Sequence, residues 1–267
     1  MEAIRRLKGL ATLLTTLPLG ASKLEDAASA FHLVPLIGLI EGLLLSLTLA
    51  ISLVLDVKPI VSGAIYTLAH VIVTGGLHLD GFSDYSDVLG ARARGDRAIS
   101  ILKDPRRGSF AVIALTLNLI LTTALAAQLY DLLRAPGFSV AAVSIVVLSY
   151  TLAAESLYLT LFYSNVEPYN GMARVFSVEA KRRGLRGNVV TLTLIILILT
   201  IIMTLSMGPV KALLIALSAS SSMVLCVMYT VKDAMSRIGY ANGDIAGFSY
   251  ELSRLATLGV SLVVFGL

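Results

Sequence analysis

Apolar runs long enough to cross a bilayer recur along the whole 267-residue chain, and nothing else in it limits the fold so tightly. Inside hydrocarbon every backbone N–H and C=O must be satisfied by the protein itself, so such runs fold as helices or as a closed barrel. Runs near 20 residues exceed the roughly 9–11 of a barrel strand and point to helices. Seven spans are expected at about 31–55, 59–77, 109–130, 138–163, 189–207, 209–230 and 250–267. The last is short, so six spans plus a partly inserted tail is the alternative count. Pro35 is expected to bend the first span. The fold class is therefore all-α, a polytopic membrane helical bundle forming one integral membrane domain over residues 1–267. Charged residues make up 14% of the chain, about half the share of a soluble domain, which leaves no room for a large soluble unit.

Ahead of the first span, Arg5, Arg6 and Lys8 precede an apolar stretch ending in Leu19-Gly-Ala-Ser, a pattern also found in signal peptides. The helical recurrence of Ile4, Leu7, Leu10 and Leu14 beside those basic residues favours a retained N-terminal interfacial helix. Ser22-Lys-Leu-Glu25 reads as a capping box opening the next helix. Lys and Arg then orient the chain. With the N-terminus inside, segments 1–30, 78–108, 164–188 and 231–254 hold all of them except Lys58, Arg134 and Lys211. That is the positive-inside pattern for an odd number of spans, and it implies a multi-pass cell-membrane protein whose polar loops face the cytoplasm.

The richest of those loops is residues 75–110, where Asp80, Asp84 and Asp87 stand at i, i+4 and i+7. On a helix this spacing puts three carboxylates on one face, where neighbouring charges repel by about 0.7 kcal/mol even in bulk water. A cation is the expected remedy, and an all-oxygen ligand set suits Mg²⁺, Mn²⁺ or Ca²⁺ better than zinc. The alternating ligands of an EF-hand are absent, which disfavours a calcium sensor. Gly75 and Gly76 are expected either to let backbone approach a ligand or simply to end a helix. Lys103, Arg106 and Arg107 surround a Pro-containing turn that can offer cations to a pyrophosphate, and Gly108-Ser109 opens a helix whose amides would favour an anion. Asp104 beside Lys103 is a further ligand or a local salt-bridge partner. His78 is a candidate general base or phosphate donor. Near the C-terminus, Asn242, Gly243 and Asp244 form a second candidate loop, able to complete a metal sphere or hold a ribose, with Glu251 seven residues on. Glu41 and Glu155 lie within spans and should face the bundle interior or a wet cavity, as candidates for substrate or proton contact or as partners of other buried polar groups. His32 and His70 read as packing or helix-contact residues. Cys226, the one cysteine, excludes an intramolecular disulfide, and no basic block with interleaved aromatics suggests nucleic-acid binding.

Gly75-Gly-Leu-His-Leu-Asp-Gly-Phe-Ser-Asp-Tyr-Ser-Asp-Val-Leu-Gly resembles the signature of the cobalamin synthase (adenosylcobinamide-GDP ribazoletransferase) family, which typically reads Gly-Gly-Leu-His-Leu-Asp-Gly-Leu-Ala-Asp-Thr-Ala-Asp-Gly-Leu. Ile101-Leu-Lys-Asp-Pro-Arg-Arg-Gly-Ser-Phe is similar to its following Lys-Asp-x-Arg-x-Gly motif, and Gly239-Tyr-Ala-Asn-Gly-Asp-Ile-Ala-Gly to its late Gly-Gly-x-Thr-Gly-Asp-x-Leu-Gly motif. Leu13-Leu-Thr-Thr-Leu-Pro-Leu is similar to its amino-terminal segment. Tyr240 and Asn242 depart from the usual glycine and threonine, and residues 138–235 carry little that matches.

The resemblance implies a membrane-bound, Mg²⁺-dependent transferase joining adenosylcobinamide-GDP to α-ribazole or its 5′-phosphate, with release of GMP. On that reading Asp80, Asp84, Asp87 and Asp244 hold the metal. Lys103, Arg106, Arg107, Asn242 and Gly243 bind substrate, and Asp84 or His78 takes the hydroxyl proton. Two other readings compete. A CDP-alcohol phosphatidyltransferase would need an Asp three residues before Asp80-Gly81 and an Ala-Arg after it, and both are missing. A cation-coupled transporter would show inverted repeats and mid-membrane charge, whereas the densest charge here lies at a span's edge. The oligomeric state, a homo-oligomer included, is left open.

Overall fold

A computed structural model describes residues 2–20, 23–137 and 139–266. Among them the chain is helical, with helices α1 Glu2–Leu14, α2 Leu24–Ser29, α3 Val34–Val54, α4 Pro59–Thr74, α5 Leu77–Gly90, α6 Gly95–Leu102 and α7 Ser109–Arg134. These are followed by α8 Ser139–Tyr163, α9 Met172–Arg183, α10 Arg186–Met207, α11 Pro209–Arg237 and α12 Gly243–Gly266. A 3₁₀ turn, Phe31–Leu33, leads into α3. Among the described residues six helices are long and apolar enough to cross a membrane, and a seventh crossing is made if the bent pair α4–α5 counts as one. The polytopic bundle expected from the sequence is therefore present.

Burial ranks the spans. The most apolar stretch of α8 is 89% buried, against 17% for α10 and 22% for α7, so α8 is the central post and the other two face outward. α3 lies against α8 through Gly38 and Gly42, spaced i, i+4. A Cβ on Gly42 would stand 2.6 Å from the Val147 Cα, and one on Gly38 would collide with the Tyr150 carbonyl. Small residues at this spacing let two membrane helices meet backbone to backbone, where dispersion replaces the missing hydrophobic drive.

Several boundaries differ from expectation. Pro35 sits in the first turn of α3, where its missing N–H disrupts no helical bond, so it starts the helix and does not bend it. The last span does not begin near residue 250. α12 starts at Gly243, and its first half carries Ser249, Glu251, Ser253 and Arg254, all fully buried, which lowers its hydropathy and hid its start. Arg254 is thus no cytoplasmic anchor. The expected Ser22 cap lies outside the described residues; α2 follows Lys23.

The decisive local feature is the joint between α4 and α5. Gly75 (φ 62°) and Gly76 (φ 69°) are both left-handed, and the chain bends by 94° there. Two successive L-residues in that conformation would cost roughly 1–2 kcal/mol each, so only a Gly-Gly pair makes the corner cheaply. The segment after α1 braces it: Thr16 donates its backbone N–H to the Val73 carbonyl at 2.9 Å and its hydroxyl to Ile72 at 2.9 Å. α5 consequently turns across one end of the bundle, the end where α7 and α12 begin and α8 and α11 finish. It packs on α12 through stacked Phe82 and Phe248 and is tied to α11 by Tyr85, whose hydroxyl donates to Asp233 at 2.6 Å.

The membrane interior holds a buried polar network. Glu251 accepts from Arg254 (Nη2, 2.6 Å) and Asn118 (3.2 Å) and pairs with His70 Nε2 at 3.1 Å. His70 Nδ1 meets the Tyr150 hydroxyl at 3.0 Å. Glu41 accepts from Tyr250 at 2.6 Å and Glu155 from Asn188 at 2.8 Å, so both carboxyls face the interior as their cost in lipid requires.

Candidate active site

The three aspartates of α5 lie along one stripe of a single helix, yet they do different things. Asp80 and Asp84 share one guanidinium: Arg107 Nη2 pairs with Asp80, and Nη1 lies 2.6 Å from Asp84 Oδ1. The Asp80 side chain is 61% exposed and that of Asp84 10%, which places Asp80 at the rim and Asp84 on the floor. Asp87, expected as a metal ligand, caps the start of α7. Its Oδ2 accepts from Gly108 N–H at 2.6 Å and its Oδ1 from Ala111 N–H at 2.8 Å. A carboxylate there answers both the orphan amides and the positive helix end. The α7 N-terminus, expected to favour a substrate anion, is therefore already closed by the protein's own anion.

The late loop is drawn to the same place. Asn242 is the N-cap of α12: its Oδ1 accepts from Ile245 N–H at 3.1 Å. Asn and Thr both serve as N-caps, so the departure from the family's threonine keeps this function. The Asn242 side-chain amide also donates to Asp244 at 2.8 Å. Gly81 brings α5 onto this loop, because a Cβ there would stand 2.6 Å from the Asp244 carbonyl oxygen. The charges of Asp80, Asp87 and Asp244 all act on Asp84, opposed by Arg107. Gly243, at the start of α12, is exposed beside them.

The remaining predicted cations are placed unequally. Arg107 is in the cluster. Arg106 points into solvent and forks onto Asp104 at 2.8 and 3.0 Å, which holds the Asp104 carboxyl down at about 2. Asp104 thus takes the local salt bridge. Lys103 lies 4.3 Å above the Tyr169 ring, a cation–π contact. Tyr169 in turn meets Tyr240 edge to face, and Asn165 donates to the Gly239 carbonyl at 2.9 Å. Residues 164–171 therefore join the Lys103 turn to the late loop, a part in the site that sequence reasoning missed; its sole hint was a polar, Asn-Gly-containing stretch directly after the apolar α8. Burial raises the Glu167 carboxyl in this loop.

His78 is 97% buried, with 3% of its surface exposed; it stacks on Tyr250 at 4.0 Å, and its Nε2 has no hydrogen-bond partner among the described residues. Glu251 belongs to the buried network and not to this cluster.

Among the described residues no group of three or more His, Cys, Asp or Glu side chains is arranged to hold a metal ion, and Arg107 pairs with both Asp80 and Asp84. The chemistry of the donors nevertheless fits Mg²⁺. Asp80, Asp84 and Asp244 are hard oxygen ligands, and one guanidinium leaves their combined charge negative.

Known proteins resemble this chain over most of its length. The chain is 30% identical over 241 residues to a Pseudomonas savastanoi pv. phaseolicola protein named adenosylcobinamide-GDP ribazoletransferase, covering 90% of each. It is 28% identical to proteins of the same name from Lachnoclostridium phytofermentans (80% of this chain, 76% of the relative) and Clostridioides difficile (84% and 83%). No solved structure matches it significantly. The family profile described as cobalamin-5-phosphate synthase matches residues 6–262 and takes in the bend, the acidic helix, the basic turn and the late loop together, so the chain belongs to the cobalamin-5-phosphate synthase family.

Proposed function

We propose that this protein transfers the phospho-adenosylcobinamide group of adenosylcobinamide-GDP to α-ribazole or its 5′-phosphate. The observation that carries this reading is the convergence of α5, the basic turn and the late loop on one acidic cluster containing one guanidinium. The relatives' shared name supplies the substrates.

In the reaction a ribose hydroxyl of the acceptor attacks the phosphorus that bears cobinamide. An O–P bond forms, the bridging P–O bond of the diphosphate breaks, GMP departs and the hydroxyl proton is lost. Arg107 is placed to pair with phosphate oxygens as charge builds on the leaving group, a role in which a planar guanidinium excels. Lys103, held over Tyr169, is the second cation. Asp84, on the floor, is the proposed proton acceptor. A bound Mg²⁺, held by Asp80, Asp84 and Asp244, would supply neutralisation of the diphosphate. Asp87 acts by fixing α7 against α5. The positive-inside charge pattern supports a cytoplasmic site.

Purified protein incubated with adenosylcobinamide-GDP, α-ribazole and Mg²⁺ is expected to release one GMP for each ribazole consumed. Absence of GMP with Mg²⁺, Mn²⁺ and Ca²⁺ alike would overturn the assignment and reopen the lipid-enzyme and transporter readings.

A further inference from the structure

Beside the acidic cluster is a cavity of about 210 Å³ that none of the steps above requires. Its walls are Phe31, Leu157, Leu161 and Phe176, with the Phe31 and Phe176 rings edge to face at 4.8 Å. His78, Asp80 and Asp244 are also in the lining, so a molecule in the cavity would extend into the reacting groups. His78 is one of the lining residues, and its Nε2 is buried with no hydrogen-bond partner among the described residues. A buried polar nitrogen without a partner is costly unless something else meets it.

We infer that this cavity holds the flat, apolar, bicyclic base of the ribazole acceptor, with the His78 imidazole bonded to the base's unsubstituted ring nitrogen and Asp80 or Asp244 to its ribose. The inference rests on the transferase reading and assigns one substrate to one side of the site. Three features select this occupant. The volume falls below the roughly 300–1,000 Å³ of sites for whole drug-sized ligands, so it admits one ring system and excludes a corrinoid. Guanine would place a row of donors and acceptors against Leu and Phe, leaving them unpaired. A lipid chain would fit the walls, but it has no use for an imidazole nitrogen or for two carboxylates.

The test compares full-length wild type with Ala173→Phe, which fills the cavity from α9, and with Met172→Trp, which narrows it at a residue 54% exposed and so spares the fold. Both variants are expected to raise KM for α-ribazole at least about tenfold while KM for adenosylcobinamide-GDP stays within about twofold. Equilibrium dialysis of α-ribazole alone should weaken by a similar factor, and His78→Ala should weaken it too. If wild type turns over and folded Met172→Trp keeps both the ribazole KM and the ribazole affinity, the cavity assignment is wrong while the transfer reading stands. If wild type never releases GMP, the transfer reading fails, and the dialysis decides the cavity: ribazole binding lost in Met172→Trp supports it, and no binding or unchanged binding overturns it.

Discussion

Asp84→Asn is expected to lower GMP release roughly 100- to 1,000-fold while the protein elutes from detergent as a folded species with an unchanged melting curve. The magnitude is that of removing one preorganised charge from a transition state. The selectivity follows from position. Asp84 lies on the floor of the cluster at 2.6 Å from Arg107, with Asp80 and Asp244 close enough for their charges to act on it. Asn keeps the shape and one hydrogen-bond acceptor but neither the charge nor the capacity to take a proton. Stability should hardly change, because the substitution also removes repulsion among the carboxylates. Retention of more than a tenth of wild-type turnover would remove Asp84 from the chemistry. The same change at Asp87 should behave in the opposite way and weaken the fold first, since that carboxylate accepts from Gly108 and Ala111 and touches no cation of the cluster.

Glu251→Ala should destabilise the protein by about 3–5 kcal/mol, the effect of breaking a fully buried ion pair from one side. Glu251 and Arg254 are both fully buried, and the Glu251 carboxylate also binds His70 and Asn118. Its loss strands the Arg254 guanidinium, whose Nη2 would keep only Asn118 and Thr122. A charge left without its partner at that depth has no water to turn to. The paired replacement Glu251→Leu with Arg254→Met should recover most of the loss, because well-packed apolar side chains often equal a buried ion pair. Thermal unfolding in detergent checks both. A wild-type melting temperature for Glu251→Ala would mean the network contributes nothing, and a double variant no better than the single one would mean that shape, not charge, is what the site needs.

The sequence made some of this architecture plain and concealed the rest for physical reasons. Apolar runs announced the spans because backbone satisfaction in lipid leaves few alternatives. The i, i+4, i+7 aspartates announced a helix face, and α5 is that helix. Nothing local distinguished a helix ending at Gly75 from a right-angled corner through Gly75 and Gly76, since both use left-handed glycine. Asp87 looked equivalent to Asp80 and Asp84 because its partner, the start of α7, lies 21 residues on. The Glu251–His70 contact joins residues 181 apart, and no spacing rule reaches that far. The same buried polar residues lowered the hydropathy of α12 and made its first turns look like a loop. Sequence patterns report neighbours along one helix; the division of labour among the aspartates was set by which other helices arrive beside them.

The proposed function requires the acidic end of α5 to grip a divalent cation together with the diphosphate substrate. The most direct measurement is titration of Mn²⁺, followed by electron paramagnetic resonance, into wild type and into an Asp80→Asn/Asp84→Asn double variant, each with adenosylcobinamide-GDP present. Bound Mn²⁺ in the wild type that is lost in the double variant is the predicted result. Equal binding by the two proteins, or none by either, would contradict it.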